Sequence, residues 1–289
     1  MSDNRKHVVS FSAGKDSVAM LLKMYENNMP IDEIIYFDVE SWNWPQCNKV
    51  IEQVENIVGK KIVRLKGDKE NYFDWYMCFK PINRGKNEGT VGVSWPAKFK
   101  LWCTSQKALI IDKYKKENYK DGYIGYLGYC ANEKIRAEAT SVQSLKTKNV
   151  EYRFPLIDWD MTEEDTLKYC YDKGINWDGL YNYVRRVSCF CCPFQGVESL
   201  RTLYNNFPDS WKELERKQQM IYDNVTGEKW VDYKCEHNVF EWSNRFRLEK
   251  KIGRKINKWD EMYKLLDQED YDKALENLIK EDPDWNVFK

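Results

Sequence analysis

Histidine is nearly missing from this chain: His7 and His237 are the only two. That excludes a histidine-rich zinc centre and leaves sulfur and oxygen as the available metal donors. Neither sign of charge dominates, with 46 basic against 46 acidic residues, so no global field draws the chain to nucleic acid or to a membrane surface. No apolar run approaches the ~18 residues of a membrane span. Internal repeats and low-complexity segments are absent, which excludes solenoids and disordered linkers. The polar start Met1–Lys6 runs straight into an apolar segment, so we expect no signal peptide and a cytosolic protein.

What the chain does have is aromatic residues, at 15%, including 12 Trp and 19 Tyr, and nine cysteines. Aromatic side chains chiefly fill cores, and they also suit surfaces that stack on bases. Trp42, Trp44 and Trp95 are read as core or capping residues on that ground. In a reducing cytosol, clustered cysteines serve metals or catalysis more often than disulfides. A local basic excess at 244–258 (Arg245, Arg247, Lys250, Lys251, Arg254, Lys255 and Lys258 against Glu249) is a solvated helix face or, alternatively, a polyanion-binding edge.

Hydrophobic periodicity sets out the first half. His7–Phe11, Glu33–Phe37 and Lys61–Leu65 read as strands. Val18, Leu21, Leu22 and Tyr25, then Val50, Val54, Ile57 and Val58 closed by Gly59, read as the helices between them. This alternation predicts an α/β fold: a parallel twisted sheet with helices on both faces. Residues 81–98, with Gly85, Gly89 and Gly92, interrupt the rhythm and predict a lid, a binding loop or a disordered segment. A helix is expected after Thr104, a strand at 123–128, and a helix over Glu163–Lys173 with Thr162 as its N-cap and Gly174 as its stop. Beyond residue 196 the pattern is helical. We therefore expect a nucleotide-binding domain at 1–195 and a helical C-terminal region at 196–289.

The sharpest chemistry lies at Ser12-Ala13-Gly14-Lys15-Asp16-Ser17, between the first strand and its helix. Small residues let backbone N–H groups converge on an anion, and the helix N-terminus adds partial positive charge. Lys15 supplies a full charge, and the Ser12 and Ser17 hydroxyls can donate to phosphate oxygens. Asp16 suits a helix start, a Lys15 partner or a Mg²⁺ ligand. The spacing fits neither the Walker pattern nor the dinucleotide fingerprint.

This hexapeptide resembles the Ser-Gly-Gly-Lys-Asp-Ser signature of PP-loop ATP pyrophosphatases, with Ala13 in place of a glycine. Further segments resemble the phosphoadenosine phosphosulfate (PAPS) reductase branch of that superfamily, in order along residues 7–200. They are Asp38 at the end of the second strand, Trp102-Cys103 through Lys107, Gly128 through Glu133 and Arg136, Phe154–Trp159 with Thr162–Asp165, and Arg185-Arg186 through Cys189-Phe190-Cys191-Cys192-Pro193. The resemblance implies an adenine nucleotide alpha hydrolase-like fold. It also implies ATP with Mg²⁺, its phosphates on residues 12–17 and its adenosine near Asp38, Gly128, Glu133 and Arg136. Lys15, Asp16 and Asp38 would be the catalytic residues.

Cys189 and Cys192 have the spacing at which two thiolates reach one metal. With Cys103 they offer sulfur ligands from distant parts of the chain, with Cys235, Cys191 or Cys130 as the fourth. Some members of the resembling group, such as DNA phosphorothioation enzymes, carry a [4Fe–4S] cluster on such cysteines, and a structural Zn²⁺ is the alternative. Cys47, Cys78 and Cys170 are read as buried small hydrophobes. The activity implied is adenylation of an acceptor with release of pyrophosphate, for sulfur transfer onto a nucleic acid or nucleotide, with a sulfur-donor protein as partner. A PAPS or adenylyl-sulfate reductase is the alternative; Lys234-Cys235-Glu236-His237 shares a Cys and a His with its motif, while Lys15 argues against it. A nucleotide-binding module without turnover is a third reading.

Overall fold

The computed structural model describes residues 4–144, 149–226 and 232–281. Five strands form one sheet: β1 (Lys6–Phe11), β2 (Glu33–Phe37), β3 (Val63–Leu65), β4 (Tyr123–Tyr126) and β5 (Val150–Arg153). Their order is β3-β2-β1-β4-β5 and every pairing is parallel, as in Val9↔Ile34 and Val8↔Gly125. The middles of β1 and β2, Val8-Val9 and Ile34-Ile35, are apolar on both faces because both faces of a parallel sheet are covered. Val9 and Ile34 pack into the main core, whereas Val8 and Ile35 meet Tyr114, Tyr119 and Tyr123 on the opposite side. The α/β fold with helices on both faces is as expected. β5 has no counterpart among the expected strands, since Val150-Glu151-Tyr152-Arg153 is a half-exposed edge strand without an apolar run.

Helices α1 (Lys15–Glu26) and α2 (Pro45–Val58) connect the first strands; α3 (Tyr72–Cys78) and α4 (Trp102–Asn118) precede β4. Gly59 ends α2 in the left-handed conformation at φ 66, which a residue without Cβ adopts at little cost. Ile57, read as part of the α2 core stripe, is exposed, and Ile51 and Cys47 are buried on that face instead. Helices α5 (Lys134–Ser144), α6 (Pro155–Asp158) and α7 (Glu163–Asp172) follow. The Thr162 hydroxyl accepts from the Asp165 N–H while the Asp165 carboxylate accepts from the Thr162 N–H, a reciprocal cap that fixes where α7 starts.

The C-terminal region is helical: α8 (Val197–Asn206), α9 (Pro208–Asn224), α10 (Val239–Ile252) and α11 (Trp259–Glu281). One apolar cluster runs from Val9 to Phe246, so side-chain packing continues across residue 195. Trp42, Trp44 and Trp95 lie inside it, Trp42 edge-on to Phe73 and Trp102. A buried polar knot ties α9 to α3: Lys217 Nζ donates to both Asp74 carboxylate oxygens at 2.8 Å and to the Ser41 hydroxyl at 2.9 Å. Trp42 Nε1 donates to the same carboxylate at 2.7 Å.

Apart from the buried Arg245, the basic stretch at 244–258 is the solvated face of α10 and the turn after it. Arg247 and Lys251 both hold Glu269, Arg254 holds Glu261, Lys255 holds Glu198, and Arg245 pairs with Glu249. Carboxylates from α8 and α11 neutralise what looks in sequence like a polyanion edge. No helix of the described residues is long and apolar enough to cross a membrane.

Candidate nucleotide site

The strand order reverses at β1, whose neighbours leave in opposite directions along the sheet. Beyond the carboxyl ends of β1 and β4 the connections part and leave a crevice, the usual ligand position in an open parallel sheet. A cavity of about 250 Å³ lies there. Its walls include Ser12, Gly14, Lys15, Asp16 and Ser17 after β1, and Gly128, Tyr129, Glu133 and Arg136 after β4. Two segments more than a hundred residues apart thus meet as the sequence predicts.

The loop is built for close approach. Ala13 is fully buried at φ 58, the left-handed conformation that the resembling signature gives to glycine. For a residue with Cβ this costs roughly 1–2 kcal/mol. Trp177 Nε1 donates to the Ala13 carbonyl at 2.8 Å and pins the turn. Ser17 Oγ donates to the Gly14 carbonyl at 3.0 Å and accepts the Ser12 N–H at 3.1 Å. A Cβ on Gly128 would stand 3.2 Å from the Asp16 carbonyl group and the Ser17 nitrogen, so glycine is what lets β4 reach the loop.

Lys15 is 5% exposed, and its ammonium donates to Asp16 Oδ1 at 2.9 Å and to Glu163 Oε2 at 3.4 Å. Asp16 Oδ1 also accepts from Thr166 Oγ1 at 2.7 Å and from Cys130 Sγ at 3.4 Å. Burial and the Asp16 carboxylate push the Cys130 thiol up, so it serves as a proton donor. The first N–H of α1, that of Lys15, donates to the Tyr181 hydroxyl at 2.8 Å; burial pushes the phenol up and keeps it neutral. Arg136 donates to Glu133 at 2.7 Å and lies over the Tyr129 ring at 4.1 Å. Glu133 in turn accepts the Cys130 N–H, which orients the pair.

A second cavity of about 590 Å³ shares Lys15, Glu163 and Tyr181 with the first and continues past Asn132, Thr162 and Arg185. The two form one cleft with Lys15 at the junction. Tyr181, Glu163, Thr166 and Arg186 are the residues that sequence reasoning does not assign to the site. Glu163 is legible only as a helix start, Arg186 only as part of a motif, and Tyr181 carries no local signal.

Asp38 lies elsewhere. It ends the neighbouring strand, its N–H donates to the Leu65 carbonyl, and its carboxylate accepts the Glu40 N–H at 2.8 Å to hold a tight turn. It is absent from the residues lining the cavity. Its charge acts instead on Tyr36 and Cys47, raising both after burial has done most of the work.

Of the cysteines, Cys103, Cys189 and Cys192 converge. Burial pushes Cys189 up to about 12, and the neighbouring Cys192 and Cys103 add to the shift while Lys107 opposes it. Cys235 is exposed on a separate turn. Among the described residues no three Cys, His, Asp or Glu side chains stand close enough, as placed, to hold a metal ion. The expected four-sulfur set therefore does not fit a preformed cluster here. Cys191 and Cys130, the alternative fourth ligands, are fully buried, the latter engaged with Asp16. Cys47, Cys78 and Cys170 are fully buried in the core, as expected.

No protein-family model and no curated protein matches the chain. Among solved structures, the U34-tRNA thiolase NcsA from Methanococcus maripaludis, with its [4Fe–4S] cluster, is similar at 15% identity. The match covers 78% of this chain and 77% of that one, with a TM-score of 0.36. At that level nothing about substrate or cluster transfers to this chain, whose α/β architecture stands on its own sheet.

Proposed function

We propose that this chain is a PP-loop enzyme that binds ATP with its phosphates on residues 12–17 and adenylates an acceptor, releasing pyrophosphate. The observation that carries the proposal is the cleft at the ends of β1 and β4. There a helix N-terminus, Lys15 and the Ser12 and Ser17 hydroxyls meet Arg136 and Arg186 in one cavity. Asp16, Glu133 and Glu163 line the same cavity, so cations and carboxylates balance there, which suits a polyphosphate that arrives with a divalent cation.

An oxygen of the acceptor attacks the α-phosphorus, and the bond to the α,β-bridging oxygen breaks. The electron pair leaves on pyrophosphate, whose growing charge Lys15 and the loop N–H groups offset. Asp16 and Glu163 flank Lys15 and are the hard oxygen ligands that would hold Mg²⁺ brought in with the nucleotide. Bound there, the ion would neutralise phosphate charge. The wider cavity past Glu163 and Arg185 is the candidate seat for the acceptor.

The finer reading is sulfur transfer to a nucleic acid or nucleotide within the PAPS reductase branch, in the cytoplasm, with sulfur supplied by a donor protein. The Cys189–Cys192 pair, with Cys103 near enough to act on the Cys189 thiol, supports it. In that step the terminal sulfur of a donor persulfide attacks the activated acceptor carbon and AMP leaves with the carbon–oxygen electron pair. A thiol of the chain then cleaves the acceptor–donor disulfide, and an external thiol reduces the protein disulfide that results. No step is routed through a metal or a cluster.

Product identification tests the proposal. Anaerobically prepared protein incubated with Mg·ATP and total nucleic acid should yield AMP and pyrophosphate. ADP and phosphate would refute adenylation, and sulfite formed from an adenylyl-sulfate donor without ATP consumption would establish the reductase instead.

A further inference from the structure

The Gly-rich segment that interrupts the α/β rhythm ends in a tight hairpin. Ala97 and Lys100 exchange both backbone hydrogen bonds, which leaves Lys98 and Phe99 as a two-residue tip. Phe99 is 74% exposed, unusual for a large apolar side chain. A second hairpin has the same form. Lys234 and His237 exchange both bonds, and the tip is Cys235-Glu236 with φ values of 51 and 64. Two positive φ angles in succession define a type I′ turn, which ordinarily takes Asn-Gly.

The two tips line one cavity of about 360 Å³, with Pro193 and Phe194 between them. That volume lies within the usual range for small-ligand sites, about 300–1,000 Å³. Phe194 is a second exposed aromatic. The second hairpin is tied to the backbone of the cysteine segment: the Tyr233 hydroxyl donates to the Cys192 carbonyl at 3.1 Å, and Lys234 Nζ donates to the Pro193 carbonyl at 3.3 Å.

Charge surrounds this aromatic pair unevenly. Lys98 lines the cavity and Lys100 closes the same hairpin with Lys80 beside it, while Lys234 lines it from the second hairpin. Burial, and then the neighbouring Lys80, push the Lys100 ammonium below its ordinary range, so two cations crowd together without an anion. Asp232 and Glu236 line the cavity from the second hairpin. Phosphates would be held on the Lys80–Lys100 side and kept from the other, while bases lie over the rings. A protein partner with an apolar patch would use the rings and leave the cations unanswered.

We propose that the 96–100 hairpin, Phe194 and the lysines of that hairpin form a docking surface for a single-stranded nucleic acid, leading the acceptor strand past Cys235. This deepens the reading of the acceptor as a nucleic acid and rests on it. A duplex, whose bases are stacked inside, cannot offer a face to Phe99.

The test is fluorescence anisotropy of the full chain, without ATP, against short labelled single strands of RNA and of DNA and against a duplex. Wild type should bind a single strand, more weakly as salt rises, and the better of the two strands names the sugar. Phe99→Ala and Phe194→Ala should each weaken binding by about tenfold, within the range that loss of one base stack gives. Lys98→Ala should flatten the salt dependence by roughly one phosphate contact. Lys250→Ala, on the basic helix, should change nothing, and circular dichroism melts should match wild type for every variant.

Equal binding by wild type and both Phe variants, or preference for the duplex, would overturn the proposal. So would Phe99→Ala that abolishes self-association in sedimentation while leaving oligonucleotide binding intact, since the patch would then join two copies. Binding without any ATP turnover would sink adenylation and keep this surface. Turnover with unaltered oligonucleotide binding in the Phe variants would do the reverse.

Discussion

The Tyr181 hydroxyl sits 2.8 Å from the backbone nitrogen of Lys15 and accepts its proton at the start of α1. This is the donor that a bound phosphate would need. The phenol satisfies an otherwise orphaned helix N–H until an anion takes over. Tyr181→Phe should therefore lower stability by about 1 kcal/mol, the value of one lost hydrogen bond, while ATP binds as tightly as in wild type or a fewfold tighter. A thermal melt and a binding isotherm check both halves. A large loss of ATP affinity would mean that Tyr181 contacts the nucleotide directly.

Ala13 holds φ 58 where a glycine would be at ease. Ala13→Gly should leave ATP affinity unchanged and alter stability by no more than about 1 kcal/mol, the gain in strain set against the greater freedom of glycine in the unfolded chain. Ala13→Val should disrupt the loop, because a β-branched residue resists this conformation. Equal nucleotide binding in the Val and Gly variants would contradict the geometry.

The buried Lys217–Asp74 pair makes a different kind of prediction. Lys217→Met leaves the buried Asp74 carboxylate with Ser41, Trp42 and the more distant, half-exposed Arg216 at 3.5 Å, and should cost up to about 3 kcal/mol in urea unfolding. Combining it with Asp74→Leu should recover a large part of that loss, since an apolar pair leaves no charge uncompensated. No recovery would mean that the Ser41 and Trp42 contacts to this carboxylate matter more than its charge.

Arg247 and Lys251 hold the Glu269 carboxyl down to about 2, with burial acting weakly the other way. A depressed carboxyl stabilises the fold above its unfolded pKa, near the ordinary 4.5, and loses that contribution as pH falls toward 2. Glu269→Gln should thus lower the melting temperature slightly at neutral pH, about 1 kcal/mol at most for so exposed a network, and have no effect near pH 2. An effect of equal size at both pH values would show that packing, not charge, joins α10 to α11.

The sequence legibly predicts the parts of the site that are local. Residues 12–17 announce themselves by small residues, a lysine and a strand–helix junction, and Gly128, Glu133 and Arg136 by their resemblance to a nucleotide segment. The structure brings all of these but the buried Ala13 to the walls of one cavity. Tyr181 and Thr166 reach the loop from about 150 residues away, through packing that no local pattern records. Asp38 stands where the resemblance implies, at a strand end, outside the cavity lining and with one carboxylate oxygen accepting the Glu40 N–H of its own turn. The basic stretch at 244–258 misleads because its partners, Glu198, Glu261 and Glu269, come from other helices. Sequence reveals charge, and only the fold reveals whether it is answered.

The most direct test of the phosphate-loop assignment is titration of wild type and Lys15→Ala with Mg·ATP and, separately, with pyrophosphate, each variant first shown to be folded. Wild type should bind both, and loss of the Lys15 ammonium should weaken both by at least about tenfold, the loss of one charge-assisted contact. Unchanged affinity for ATP and pyrophosphate in a folded Lys15→Ala protein would contradict the assignment of residues 12–17 as the phosphate seat, and with it the proposed chemistry.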